Sequence, residues 1–146
     1  MTKPQFIRPA ITENEILANV RSALREDIGS GDITAALIPA DTHATARIIT
    51  RESGVICGKA WVNAVFSEID ADVELAWQVE DGDAVNEDDV LFTASGSARS
   101  ILTAERAALN FLQLLSGTAT VCQHYATLVK STDVRLLDTR KTIPGL

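Results

Sequence analysis

Cysteine is scarce in this 146-residue chain, and the two that occur, Cys57 and Cys122, are far apart in the sequence. Their spacing predicts neither a disulfide framework nor a zinc site, and two isolated thiols fit a reducing compartment. The first residues, MTKPQFIRPAITENE, include acidic side chains and lack the apolar run of a secretory signal. We therefore expect a cytoplasmic protein.

Positive charge is also in short supply. The formal net charge is −7 and the pI is about 4.7, which argues against a nucleic-acid or anionic-membrane partner because such surfaces need a net basic footprint. The deficit is uneven. Residues 1–96 hold 7 Lys or Arg against 17 Asp or Glu, whereas residues 97–146 hold 6 against 3. We expect any bound anion in the last third.

Charged residues are missing altogether between Arg106 and Lys130, which resembles a membrane span. Asn110, Gln113 and His124 lie in this stretch, however, and such polar groups are costly in the hydrocarbon core. The stretch is better interpreted as a buried helix of a soluble protein.

Several catalytic signatures are absent. The sequence has no phosphate-cradling glycine loop, nucleophile elbow or HExxH motif, which excludes Walker-type nucleotide hydrolases, serine hydrolases and zincins. His43, expected in an exposed loop, and His124, expected in a helix, lack partners at ligand or dyad spacing, so we expect structural roles for both. The acidic run EDGDAVNEDD fails as a calcium loop because Val85 occupies a ligand position, and it predicts a solvated turn.

The hydrophobic pattern predicts an α+β fold. A capping box at Thr12 and Glu15 opens a first helix that ends at Gly29. A loop rich in glycine and aspartate follows. The remaining predicted elements are strands at 44–50 and 54–58, a helix at 58–69, strands at 73–80 and 90–95, helices at 100–115 and 118–130, and a short strand at 134–138. Ser116 and Gly117 are expected to separate the last two helices. The order helix, strand, basic loop at the end is how an α/β barrel or doubly wound sheet begins.

A polar stripe runs along the predicted helix at 100–115. Its members recur at steps of three and four residues and are Arg99, Thr103, Arg106, Asn110 and Gln113. The stripe is either the wet side of an amphipathic helix or an anion-binding surface. It contains no Lys or Glu, and arginine suits bidentate recognition of a carboxylate or phosphate.

A basic cluster follows the last predicted strand. Thr139, Arg140 and Lys141 come directly after Asp138, at the carboxyl end of a strand, where α/β folds bind ligands. The alternative is a loop whose charges face water or pair with acids elsewhere. Asp138 could orient one of the cations or cap a backbone amide.

Three segments together resemble the quinolinate phosphoribosyltransferases: ALREDIGSGDIT at 23–34, TAERAALNFLQLLSGTAT at 103–120 and LLDTRKTIPGL at 136–146. The resemblance covers nearly the whole chain. It implies a type II phosphoribosyltransferase fold, with an N-terminal open α/β sandwich at 1–115 and the first helix and strand of an incomplete α/β barrel at 116–146. It also implies a homodimer in which the sandwich of one subunit covers the barrel mouth of the other.

By that resemblance, quinolinate and phosphoribosyl pyrophosphate become nicotinate mononucleotide, pyrophosphate and CO₂ in NAD biosynthesis. Arg106 is expected to reach a quinolinate carboxylate in the neighbouring subunit's site. Thr139 and Arg140 are expected to bind quinolinate, and Lys141 to meet phosphoribosyl pyrophosphate. Mg²⁺ is expected to be held mainly through that pyrophosphate. The family's barrel continues past the position of Leu146, so this chain alone is expected to be incomplete and inactive.

Two other functions stay open at this point. One is a related enzyme such as nicotinate phosphoribosyltransferase. The other is a non-catalytic module, either a dimerisation fragment or a carrier domain, because VEDGDAVNEDDVL resembles the hairpin of lipoyl and biotinyl domains. No lysine lies between Lys59 and Lys130 to accept such a group.

Overall fold

The computed structural model describes residues 11–137 together with residues 139, 141 and 143. The first helix, α1, spans Glu13–Ile28 and is closed by Gly29. Its capping box is formed as predicted: Thr12 Oγ1 accepts the Glu15 N–H at 3.3 Å, and Glu15 Oε2 accepts the Thr12 N–H at 2.7 Å. Two backbone donors that a helix start leaves unpaired are thereby satisfied.

A short helix that the sequence pattern did not predict follows α1. This helix, α2, spans Ile33–Ala36. Asp32 is its N-cap, and Asp32 Oδ1 accepts the Ala35 N–H at 3.0 Å. The segment that was predicted to be a loop therefore contains a turn at residues 29–30 and the start of α2. An aspartate in an extended conformation can cap the first turn of a helix in this way.

The strands of the described residues are β1 His43–Ile49, β2 Gly54–Val55, β3 Glu74–Trp77, β4 Ala84–Val85 and β5 Val90–Ser97. They form an antiparallel sheet in the order β1-β5-β3 and a separate β2-β4 ladder. The predicted alternation at 73–80 is confirmed, since Val73 is buried while Glu74 and Ala76 on the other face are exposed.

Helix α3, Lys59–Ile69, covers the inner face of the sheet. Val62 and Val65 are fully buried. The Phe92 ring lies 6.3 Å from the Phe66 ring, edge to face, and 4.4 Å from the Trp77 ring. Aromatic burial of this kind contributes strongly to a single core, which here joins α3 to β3 and β5.

Helix α4 is the longest element, spanning 32 residues from Ala98 to Val129. The predicted break at Ser116 and Gly117 was wrong, and the two predicted helices are one. A glycine inside a helix costs only about 1 kcal/mol, and tertiary hydrogen bonds of the neighbouring residues offset it. Ser116 Oγ donates to the Cys57 carbonyl at 3.1 Å and accepts the Cys57 N–H at 3.0 Å. Thr120 Oγ1 accepts the Val55 N–H at 2.9 Å.

The predicted strand at 134–138 is not formed at residues 134–137, which have no regular structure, and Asp138 lies outside the described residues. A strand needs a neighbour to pair its backbone groups. Within the described part of the chain, no neighbouring strand pairs with these residues.

The α+β class with an antiparallel sheet is confirmed. The domain boundary predicted at residues 115 and 116 falls inside α4 and stays a prediction. Across the residues described, no helix is both long enough and apolar enough to span a bilayer.

Candidate functional site

The polar stripe of α4 faces the segment that joins α1 to β1. Arg99 lies at its N-terminal end, where Nε donates to the Ile38 carbonyl at 2.5 Å and Nη2 to the Ala36 carbonyl at 3.4 Å. Arg99 thus holds the end of α2 against α4. Two of its three guanidinium nitrogens donate to backbone carbonyls, which is a structural role.

Arg106 lies two turns further along the same stripe and faces two acids. Its Nε donates to Asp27 Oδ1 at 2.6 Å, and its Nη2 lies 3.9 Å from Asp32 Oδ2. The side chain is still 53% exposed. The hydrogen bond with Asp27 is the main reason that the pKa of Arg106 is raised above its ordinary value.

Asp32 ties this arrangement to α2. Its side chain is only 9% exposed. One oxygen caps the helix at Ala35. The Ala35 N–H is the largest cause that lowers the pKa of Asp32, with Thr103 and Arg106 acting in the same direction. The carboxylate is therefore charged at neutral pH.

Asp27 is held differently. Its side chain is 22% exposed, and Oδ2 is buried with no hydrogen-bond partner among the described residues. A buried carboxylate oxygen without a donor is unusual and normally has a functional or structural reason. Asp27 therefore makes one strong contact, through Oδ1, and leaves its second acceptor unused.

A cavity of about 370 Å³ opens beside this ion pair. Asp27 and Asn110 supply polar groups to it, and Phe111 and Leu114 supply an apolar wall. The next stripe residue, Gln113, lines a different cavity of about 550 Å³, between α4 and the 48–56 segment. The stripe therefore does not serve one site along its whole length.

The structure describes only part of the predicted basic cluster. Asp138, Arg140 and Thr142 lie outside the described residues, so the prediction for Arg140 has no structural test. Thr139 and Lys141 are exposed, and the Lys141 N–H donates to Thr139 Oγ1 at 3.4 Å. No hydrogen bond or ion pair among the described residues joins them to Arg106.

The remaining candidates have structural surroundings. His43 begins β1, where a loop had been expected, and the His124 ring packs 5.6 Å from the Tyr125 ring. Within the described ranges, no three His, Cys, Asp or Glu side chains come close enough to hold a metal ion. The described residues therefore form no protein-held Mg²⁺ site, and the expectation that Mg²⁺ is held mainly through phosphoribosyl pyrophosphate stays a prediction.

The acidic run was predicted as one solvated turn, and this was only partly right, because strand β4, Ala84–Val85, lies between two surface turns and Val85 is buried. One carboxylate of the run also has a second role. Asp81 Oδ1 accepts the N–H groups of Gly58 and Lys59 at 3.0 and 3.1 Å. Gly58 is the N-cap of α3 and has no side chain of its own to cap it.

Asp27 and Asp32 are the two site residues that sequence reasoning missed. Both lie in the segment ALREDIGSGDIT that carries part of the family resemblance, yet no role follows from the motif alone. Asp27 is 79 residues from Arg106 in the sequence. An acid at each end of DIGSGD was the only available signal.

Comparison with known proteins gives a consistent result. Residues 32–116 match the family described as quinolinate phosphoribosyl transferase, N-terminal domain. A quinolinate phosphoribosyltransferase [decarboxylating] 1b of Nicotiana tabacum is 36% identical over 140 residues, which are 94% of this chain and 39% of that protein. A chloroplastic nicotinate-nucleotide pyrophosphorylase [carboxylating] of Arabidopsis thaliana is 36% identical, over 94% of this chain and 40% of that protein.

Among solved structures, the nicotinate-nucleotide pyrophosphorylase of Francisella tularensis superposes with a TM-score of 0.88 and 44% identity, covering 92% of this chain and 49% of that one. The chain thus spans about 40–50% of the length of these proteins. The similarities favour neither the nicotinate enzyme nor a carrier module. The family match covers more than half of the sequence and includes Arg106 and Asp32, and the chain belongs to the quinolinate phosphoribosyl transferase N-terminal domain family.

Proposed function

We propose that this chain is the N-terminal part of an enzyme that converts quinolinate and phosphoribosyl pyrophosphate to nicotinate mononucleotide, pyrophosphate and CO₂ in NAD biosynthesis. The observation that carries the proposal is the exposed guanidinium of Arg106, which Asp27 holds at one edge. Arg106 lies in the segment that matches this family. Both substrates are polyanions, and an arginine positioned in this way can bind a carboxylate.

Arg106 binds one of the two quinolinate carboxylates. A guanidinium presents paired N–H donors whose spacing matches a carboxylate, so the contact fixes both the position and the orientation of the planar ring. Thr139 and Arg140 complete the quinolinate site, and Lys141 contacts phosphoribosyl pyrophosphate. The exposure of Thr139 and Lys141 leaves both accessible to ligands.

Catalysis consists mainly of placement and electrostatic stabilisation. The pyridine nitrogen forms a bond to the anomeric ribose carbon as the bond to pyrophosphate breaks. The 2-carboxylate then leaves as CO₂, its electron pair stays on ring C2, and a proton from solvent adds at that carbon. Basic side chains hold the reacting groups in line and stabilise the negative charge that moves onto pyrophosphate. No covalent nucleophile is required. Mg²⁺, when bound through phosphoribosyl pyrophosphate, neutralises phosphate charge.

The enzyme is a homodimer with a shared active site, in which Arg106 of one subunit serves the site of the other. Support comes from the C-terminal half of α4, which carries exposed apolar side chains that are unusual for a free surface. They are Leu114, Val121, Tyr125 and Leu128, between 41% and 61% exposed. Apolar side chains exposed to this extent on one helix mark a surface that packs against the rest of the full-length protein or against a second subunit.

The location that we propose is the cytoplasm, on the basis of the free thiols of Cys57 and Cys122. The chloroplastic relative described above is the specific alternative. Cell fractionation followed by immunoblotting distinguishes the two.

Release of labelled CO₂ from carboxyl-labelled quinolinate by the full-length gene product tests the reaction. We expect release that depends on phosphoribosyl pyrophosphate, with nicotinate mononucleotide formed in equal amount. Nucleotide formation from nicotinate without CO₂ release would instead identify the related nicotinate enzyme.

A further inference from the structure

Arg106 and Arg21 form ion pairs of different geometry in the same chain. Arg21 pairs with both oxygens of Glu68, through Nε at 2.7 Å and Nη2 at 3.0 Å. This is the closed, bidentate arrangement that an arginine and a carboxylate normally adopt. Arg106 forms only the Nε bond to Asp27, at 2.6 Å, and Asp27 Oδ2 is left without a partner.

The open geometry leaves the outer edge of the Arg106 guanidinium available. Asp32 Oδ2 lies 3.9 Å from Nη2, which is too far for a hydrogen bond but close enough for charge attraction. No acceptor among the described residues hydrogen-bonds to Nη1 or Nη2. The side chain is 53% exposed, so a ligand can reach this edge.

Asp27 is well placed to fix the guanidinium. It lies in the last turn of α1, and its side chain is mostly buried against α4. Asp27 Oδ1 accepts the Arg106 Nε–H, and Asp27 belongs to helix α1. The orientation of the guanidinium is therefore fixed by a residue of a helix. A donor that is fixed before the ligand arrives loses less conformational freedom on binding.

We infer that Asp27 is a positioning residue: it holds the Nε edge of Arg106 so that the Nη1 and Nη2 edge faces the bound carboxylate. This inference rests on the proposed function, because it requires that Arg106 binds quinolinate. Asp32 adds a second negative charge 3.9 Å from Nη2. It forms no hydrogen bond with Arg106, so a ligand can bind the Nη1 and Nη2 edge without breaking one. One edge of the guanidinium therefore binds Asp27, and the other edge binds the ligand.

Steady-state kinetics of the full-length gene product test the claim. We expect Asp27→Asn to raise the KM for quinolinate roughly tenfold, the loss expected when a charge-assisted contact is weakened, and to leave the KM for phosphoribosyl pyrophosphate unchanged. Glu13→Gln is the control, since Glu13 is an exposed acid in the first turn of the same helix and does not line the cavity beside Asp27. We expect it to change neither constant.

The double variant Asp27→Asn/Arg106→Ala separates positioning from other effects. If Asp27 acts through Arg106, Asp27→Asn adds nothing once Arg106 is gone. A full additional loss in the Arg106→Ala background would overturn the inference, as would an equal rise in both KM values. If Arg106→Ala alone leaves the quinolinate KM unchanged, the site proposed for Arg106 fails as well, and the two failures are thereby distinguished.

Arg106→Lys provides a second test that leaves Asp27 intact. A lysine ammonium has no separate Nε edge, so it can satisfy Asp27 or the ligand but not both in the arginine geometry. We expect the quinolinate KM to rise about as much as in Arg106→Ala, and a wild-type KM would overturn the inference. In ¹⁵N-arginine-labelled protein, the Arg106 Nε–H should exchange slowly with solvent, and Asp27→Asn should accelerate it.

Discussion

The carboxylate of Asp81 caps helix α3 at Gly58, 23 residues earlier in the chain, with Oδ1 accepting the Gly58 N–H at 3.0 Å. The same oxygen accepts the Lys59 N–H at 3.1 Å. A glycine at the start of a helix supplies no side-chain acceptor, so the acceptor comes from the turn before β4. Because α3 forms much of the core, this contact couples a surface turn to the stability of the domain.

Asp81→Ala should therefore lower the free energy of unfolding by about 1 kcal/mol, the usual effect of removing an N-cap. Glu87→Ala is the control, because Glu87 lies in the same acidic run, is exposed, and forms no side-chain hydrogen bond or ion pair within the described part of the chain. Urea unfolding followed by circular dichroism measures both. Equal destabilisation by the two variants would contradict the capping role.

The continuity of α4 through Gly117 gives a second prediction. Apart from its chain neighbours and the backbone of its own helix, no atom of the described residues lies within 4 Å of the position that a Gly117 Cβ would occupy. Gly117→Ala should therefore stabilise the protein by about 0.5–1 kcal/mol. Gly58→Ala is the opposing comparison, because Gly58 has a φ of +117° and a Cβ there would lie 3.1 Å from Leu115 Cδ1. Thermal unfolding distinguishes them. Destabilisation by Gly117→Ala would favour the helix break that the sequence predicted.

The domain should lose stability in acid through Asp70, which joins the end of α3 to the start of α4. Asp70 Oδ2 accepts the Ser100 hydroxyl at 2.6 Å, and this bond is the main cause that lowers the pKa of Asp70. Since the folded pKa is the lower one, the contribution is complete above the unfolded pKa of about 3.9 and is lost as the pH falls through the folded value.

Urea unfolding of the wild type and Asp70→Asn between pH 3 and 6 checks this linkage. We expect the difference in unfolding free energy to shrink toward pH 3. Ser100→Ala should reproduce most of the effect. A difference that stays constant with pH would show that the Asp70 carboxylate is not responsible.

Local signals in the sequence were sufficient for the parts of the fold that depend on neighbouring residues. The capping box of Thr12 and Glu15 and the alternation beginning at Val73 were predicted correctly, because each is determined within a few residues. Gly117 was misjudged because Ser116 and Thr120 are anchored by residues about 60 positions away. Tertiary contacts of this kind override intrinsic helix propensity.

In the candidate site too, the residues identified by local sequence patterns were predicted and those that depend on tertiary contacts were not. The spacing of the α4 stripe identified Arg106, since helical periodicity is local. The acids that hold it could not be predicted, because Asp27 meets Arg106 only once α1 has packed against α4. Arg140 lies outside the described residues, so its prediction has no structural test.

The proposed shared active site can be tested by mixing two impaired variants. At quinolinate concentrations far below the wild-type KM, the Arg106→Ala and Lys141→Ala homodimers should each keep only a small fraction of the wild-type turnover. In a hybrid dimer, one site receives both substitutions and the other receives neither. With random exchange of subunits, we expect recovery of about a quarter of the wild-type turnover. No recovery in dimers shown to have exchanged would mean that Arg106 and Lys141 act in the same subunit's site.

Quinolinate binding to the full-length gene product, measured by isothermal titration calorimetry, tests the central claim most directly. Arg21→Ala is the matched control, since Arg21 is likewise an exposed arginine in an ion pair, here with Glu68. We predict that Arg106→Ala weakens quinolinate binding at least tenfold, or by about 1.4 kcal/mol, while Arg21→Ala binds like the wild type. Wild-type affinity in Arg106→Ala would contradict the assignment of Arg106 to the substrate carboxylate.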